Sequence, residues 1–153
     1  MLNYGKITKG VSHVLKKRGH VYLDCYNTGL EVQVEGEDDL HQFLIGQLGH
    51  LPYEQLGVGL LDEQDVVLAW SGGQYFTRNE RHSVSWNQLD MLRLIAMHRP
   101  HKLFISHNHP GGTEEFSQED LDTTEQLRGL CHKLGVEFIG HFLVVNNRVM
   151  KTI

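Results

Sequence analysis

Two histidines stand two residues apart, at His107 and His109, and Ser117 and Asp120 follow after a short turn. Side chains at i and i+2 of an extended segment project to the same side of the chain, so both imidazoles can reach one metal ion. The residues between, Pro110, Gly111 and Gly112, suit a sharp reversal. That reversal lets Asp120, on the first turn of a following helix, return to supply an oxygen ligand. Two imidazole nitrogens and one carboxylate oxygen, with a fourth position left for water, form the donor set of a hydrolytic zinc site. The spacing therefore predicts one Zn2+ per chain, bound by His107, His109 and Asp120.

Hydrolysis also needs a base. A glutamate beside the metal can take a proton from water and return it to the leaving group. Glu54 is the candidate, since it stands at the entrance to an otherwise apolar strand, Leu56 to Leu61, where a carboxylate has no packing role. Glu63, in a turn, and Glu80, in a loop, are weaker choices. Ser117 can donate a hydrogen bond to a developing oxyanion, which makes it the second catalytic candidate. A plainer alternative exists: in a polar loop followed by a capped helix, Ser117 and Asp120 satisfy backbone N–H groups only. The chain has 11 histidines, so a lone H-x-H would carry little weight; the four positions together carry the argument.

The composition narrows the function classes. The net charge of −5 offers little counterion-release energy for binding phosphates, so nucleic acid is not the expected partner. The one compact basic cluster, Lys16-Lys17-Arg18, reads as a solvated turn. Cys25 and Cys131 lie far apart and outside any C-x-x-C pair, which argues against a disulfide framework and a cysteine zinc knuckle. No apolar h-region follows the early lysines and no apolar run approaches a membrane span, so the expected location is the cytoplasm.

The elements that must position these residues follow from pattern. His20 to Tyr26 and Leu30 to Val34 read as strands of a hairpin about Asn27-Thr28-Gly29. From Glu37 the period becomes helical, with Leu40, Phe43, Leu44 and Leu48 on one face and Gly49 at the end. Strands are expected over 54–61 and 66–70, joined by a turn at 62–64. A second helix is predicted over 85–98, with Ser85 as N-cap and Leu89, Leu92, Ile95 and Ala96 on its apolar face. A short buried strand, 102–106, runs into His107. A third helix starts at Ser117 in the manner of a capping box and carries Leu121, Leu127, Leu130 and Leu134 to Gly135. Two antiparallel strands joined at Asn146-Asn147 end the chain. Alternating strands and helices predict an α/β class with a mixed sheet.

The run His107-x-His109, seven residues, Ser117, two residues, Asp120 resembles the JAMM motif of the JAB/MPN metalloprotease family. Glu54-Gln55-Leu56-Gly57-Val58-Gly59-Leu60 is similar to that family's glutamate strand, and the order of elements from Glu35 to Val145 resembles its bacterial RadC-like branch. There are three departures. Gly111 stands where that branch has serine, Gly140 replaces an aspartate before His141, and the first thirty or so residues leave no room for a helix-hairpin-helix. The resemblance implies a cytidine-deaminase-like α/β sandwich, a mixed central sheet flanked by helices with one zinc at its edge. A cytidine deaminase itself would need H-x-E and P-C-x-x-C, which the sequence lacks.

The resulting expectation is an N-terminal extension over 1–34 packed on a metallohydrolase domain over 35–153. Its function by resemblance is that of a zinc-dependent peptidase or isopeptidase cleaving an amide bond after the tail of a ubiquitin-like or other protein modifier. An extended, glycine-ended tail is expected to bind there by adding to a sheet edge. The alternatives are a RadC-like accessory protein of DNA-processing or mobile-element systems, and a zinc-bound scaffold without catalysis. His141 is a candidate to contact the metal ligands from behind, or a structural strand residue.

Overall fold

The structure, a computed structural model, describes residues 25–27, 34–71, 76–78 and 84–152. Residues 20–24 and 28–33 of the expected N-terminal hairpin and the basic cluster at 16–18 lie outside the described residues. Eleven elements follow in order: β1 (Cys25–Asn27), α1 (Glu37–Leu48), β2 (Leu56–Leu61), β3 (Val67–Ser71), β4 (Phe76–Arg78), β5 (Val84–Trp86), α2 (Gln88–His98), β6 (Lys102–Asn108), α3 (Gln118–Leu134), β7 (Glu137–Val145) and β8 (Arg148–Lys151). Six strands form one sheet in the order β1-β3-β2-β6-β7-β8, and β4 pairs with β5 apart from it. Only β6 and β7 of these described pairs run parallel, joined by the crossover helix α3. The fold is thus the expected α/β sandwich with a mixed central sheet.

Helices cover both faces. On one, α1 packs Leu40, Phe43, Leu44 and Leu48 against Trp70, Phe104, Phe142 and Val144. On the other, Met91, Leu94 and Ile95 of α2 and Leu127, Leu130 and Cys131 of α3 meet Leu56, Val58, Leu103 and Ile105. Burial pushes the Cys131 thiol up to about 11, so it packs as a small apolar group. The two glycines of β2 have a packing reason. A Cβ on Gly59 would meet the Phe104 ring and one on Gly57 the Trp70 ring, and those two rings stack with centroids 6.0 Å apart. Their absent side chains let two large aromatics lie flat on a central strand.

Helix starts follow side-chain chemistry. Asn87, and not Ser85, caps α2: its side chain accepts from the N–H groups of Leu89 and Asp90. With the start moved two residues, the buried face becomes Met91, Leu94 and Ile95, while Leu89 is exposed. In α3, Ser117 and Asp120 form the expected capping box. Leu121 and Leu134 nevertheless point outward, and Thr123 and Thr124 take part of the buried stripe. The turn between β7 and β8 has positive φ at both Asn146 and Asn147, the backbone that a two-residue hairpin of this twist demands. Among the described residues no helix is long and apolar enough to cross a membrane.

Candidate metal centre

The centre lies at the C-terminal end of β6, where the strand gives way to the 109–117 loop. His107 is the penultimate residue of β6 and fully buried; His109 follows just beyond it. Their Nε2 atoms are 2.9 Å apart. Asp120, on the first turn of α3, brings its Oδ2 to 3.5 Å from His107 Nε2. The turn at Pro110 and Gly111 and the positive φ of Gly112 bring the chain round. The structure thus brings His109 and Asp120 each close to His107; the side chains whose donor atoms all lie within 4.8 Å of one another are Glu54, His107 and His109 in one set and His107, Asp120 and His141 in the other.

The same Asp120 oxygen accepts from the Ser117 N–H at 2.7 Å, and Ser117 Oγ accepts from the Asp120 N–H at 3.1 Å. Capping and ligation are compatible, because a carboxylate offers about four lone-pair sites. Burial opposes ionisation of Asp120, while its bonds with Ser117 favour the ionised carboxylate.

His109 Nδ1 lies 2.8 Å from the Thr113 carbonyl. A carbonyl can only accept, so the ring proton sits on Nδ1 and Nε2 keeps a lone pair for a metal. The donor set thus fits zinc, whose sites take nitrogen and carboxylate oxygen at about 2.0–2.2 Å. Glu54 sits in the loop just before β2, with Oε1 4.0 Å from His109 Nε2. Ser117 lines the same cleft, together with Tyr53, His109, Gly111 and Phe116; its volume is about 550 Å³. Since the Ser117 oxygen accepts from Asp120, its hydroxyl proton stays free to donate. A Cβ on Gly111 would meet open space, so glycine in place of serine there leaves the loop unstrained.

Two further residues help build this centre: Asn108, which the sequence did not assign, and His141, for which it left open a contact behind the ligands or a structural role. Asn108 is 3% exposed and points to the α1 side of the sheet. Its carbonyl accepts from the Gln55 N–H at 2.8 Å, and its amide donates to the Tyr53 carbonyl at 2.9 Å and the Leu51 carbonyl at 3.4 Å. These bonds bracket Glu54 on both sides and tie its loop to the strand that carries the histidines. Asn108→Ala leaves those backbone groups unpaired, at a cost of about 1–3 kcal/mol. The expected result is a lower urea midpoint at unchanged slope, with the zinc content of the wild type. An unchanged midpoint would show that the latch contributes nothing.

His141, on β7, is the other. Its Nε2 lies 2.6 Å from His107 Nδ1, and its Nδ1 lies 2.8 Å from Thr124 Oγ1. Burial pushes its pKa well below the ordinary histidine value, so it is neutral. His107, Asp120 and His141 lie close enough together to be considered as a ligand set, beside that of Glu54, His107 and His109. However, both His141 nitrogens are spent on hydrogen bonds, which leaves it behind the ligands and not among them.

One expectation about the substrate does not hold. β6 is not beside a sheet edge: it pairs with β2 on one side and β7 on the other, with His107 opposite Leu56 and Leu143. An extended tail cannot add to the sheet at this centre, because the ladder positions there are already taken.

Residues 34–151 match the family described as RadC-like JAB domain. Similar curated proteins include UPF0758 proteins of Shewanella piezotolerans (27% identical over 145 residues, 95% of this chain and 58% of that protein), Acinetobacter baumannii (28% over 130 residues, 85% and 54%) and Streptococcus suis (28% over 117 residues, 76% and 46%). The chain spans about half the length of the curated relatives it matches. These matches correct the expectation of an isopeptidase acting behind a ubiquitin-like tail. They lie with RadC-like and UPF0758 proteins, and the paired strand at the centre removes the physical ground for a sheet-added tail. The RadC-like alternative is the better fit.

Proposed function

Because the chain belongs to the RadC-like JAB domain family, we propose that it is an accessory protein of DNA-processing or mobile-element systems whose domain holds one zinc ion at a metalloprotease-type centre. The observation that carries the metal reading is the approach of His109 Nε2 and Asp120 Oδ2 to His107 Nε2, at 2.9 and 3.5 Å, with the Glu54 carboxylate 4.0 Å from His109. A zinc ion held there supplies Lewis acidity toward a carbonyl and toward water. The chain's own residues supply the rest. Glu54 takes a proton from the attacking water and returns it to the leaving nitrogen. The free Ser117 hydroxyl donates to the oxyanion that forms. Tyr53, Phe116 and the 109–117 loop wall the cleft in which a polypeptide would lie.

In this reading the partner is a protein of the DNA-processing machinery, not the DNA, since a net charge of −5 favours no phosphate surface. The test has two arms. Incubation with a diverse peptide library, read by mass spectrometry, is expected to show chelator-sensitive cleavages. Fluorescence anisotropy with single- and double-stranded DNA at low salt is expected to show no binding at micromolar protein. Zinc-loaded protein that cleaves nothing would support the scaffold alternative, and tight, salt-dependent DNA binding would contradict the protein-directed reading.

A further inference from the structure

Behind His107 runs a chain of contacts whose protons can be assigned one after another. Thr124 Oγ1 lies 2.6 Å from the Asp120 carbonyl oxygen. Two oxygens approach so closely only with a proton between them, and the carbonyl has none, so the single hydroxyl proton of Thr124 points at Asp120. The 2.8 Å contact from Thr124 Oγ1 to His141 Nδ1 must then use a proton on His141 Nδ1. Neutral His141 keeps a lone pair on Nε2, which accepts at 2.6 Å from His107 Nδ1. A neutral His107 therefore carries its proton on Nδ1 and a lone pair on Nε2.

We propose that His141 and Thr124 are positioning residues that lock the His107 proton on Nδ1 and so reserve its Nε2 lone pair for the metal. Without the lock His107 has another choice. A proton on Nε2 would face the Asp120 carboxylate oxygen at 3.5 Å, an ion-pair-like contact that closes the centre to a cation. The locked tautomer does the reverse. It sets two bare ring nitrogens 2.9 Å apart, a pair whose lone pairs a cation can share.

The fold supplies this lock through two local features. The pairing of β6 with β7 shifts register between Leu103 and Phe104, which leaves Ile139 bulged and puts His141 opposite Ile105, on the face that carries His107. Gly140 beside the bulge has φ +152, and a Cβ there would meet the Lys151 side chain. Glycine in place of the aspartate usual in the RadC-like branch thus has a backbone reason. At the other end, the hydroxyl of Thr124 bonds back four residues along α3, to the turn that also carries the ligand Asp120. One hydroxyl thereby links the backbone of one ligand to the ring of another.

The role in metal binding rests on the zinc reading above; the tautomer itself does not. The experiment uses metal-free, 15N-histidine-labelled protein and long-range 1H–15N correlation spectra, with zinc affinity measured separately by competition with a chelating dye. Wild-type His107 and His141 are each expected to show the Nδ1–H pattern. His141→Leu removes the acceptor. It is expected to move His107 toward the Nε2–H form and to weaken zinc binding by about 10–100-fold, the usual effect of losing a partner behind a ligand. His141→Gln, which places an acceptor where Nε2 was, is expected to restore most of that affinity. Thr124→Val acts through His141 and is expected to give a smaller shift of the same sign.

A wild-type His107 protonated on Nε2 would overturn the proposal. So would a folded His141→Leu protein with unchanged spectrum and zinc affinity. If His141→Leu does not fold, the wild-type and Thr124→Val spectra decide. A wild type that binds no zinc refutes the zinc reading, while the spectra still judge the tautomer.

Discussion

Glu54→Gln protein is expected to keep its fold and its zinc and to lose about 10²–10⁴-fold of any chelator-sensitive cleavage, the range typical of a positioned acid–base group. Glutamine is nearly isosteric, so the loop latched by Asn108 through Gln55 and Tyr53 should hold its shape. What changes is proton affinity: the amide cannot take a proton from water in the cleft. The position favours this residue over Glu63; Glu80 lies outside the described residues. Glu54 Oε1 is 4.0 Å from His109 Nε2 and lines the cleft, whereas Glu63 lies in the β2–β3 turn at the far end of its strand. Turnover by single-turnover assay on the best library peptide is the check. A rate near that of the wild type would remove Glu54 as the base.

Chelation is expected to have the largest effect on stability. A ligand that binds only the folded state stabilises it by about 2.7 kcal/mol at 100 times its Kd and about 4.1 kcal/mol at 1,000 times. For a domain of this size each kcal/mol moves the melting temperature by about 2–4 °C, so stripping zinc should lower it by roughly 10 °C. A cation between the close-set nitrogens of His107 and His109 would bind the folded chain and not the unfolded one, where the two rings are not held together. Differential scanning calorimetry with and without excess chelator measures this. A melting temperature that does not respond to chelator, in protein shown to contain zinc, would contradict a structural contribution from the site.

Local chemistry made much of this legible in the sequence. The α3 capping box, the Gly49 and Gly135 ends of α1 and α3, and the H-x-H at a strand end each depend on residues a few positions apart. Asp120 could be placed on the first turn of α3 for the same reason, since its capping role fixes it there. What the sequence hid depends on partners far along the chain. Asn108 is 53 residues from Gln55, and nothing in His-Asn-His-Pro says that its amide reaches back to the glutamate loop. His141 meets His107 only because of a one-residue bulge in β7, and periodicity cannot see a bulge. The faces of α2 and α3 were misread because apolar type was taken for burial. Leu89, Leu121 and Leu134 are exposed while Thr124 is buried, its hydroxyl satisfied by Asp120 and His141. The paired state of β6 was likewise a matter of sheet order, which local pattern does not fix.

The central claim is a single metal held by His107, His109 and Asp120, and elemental analysis tests it most directly. Protein purified without added metal, alongside His107→Ala/His109→Ala and Asp120→Ala proteins whose folding is confirmed by circular dichroism, should be measured for zinc per chain. The account predicts one zinc per chain in the wild type, none in the double-histidine protein and a strongly reduced content in Asp120→Ala. Full zinc occupancy in the folded double-histidine protein would contradict it.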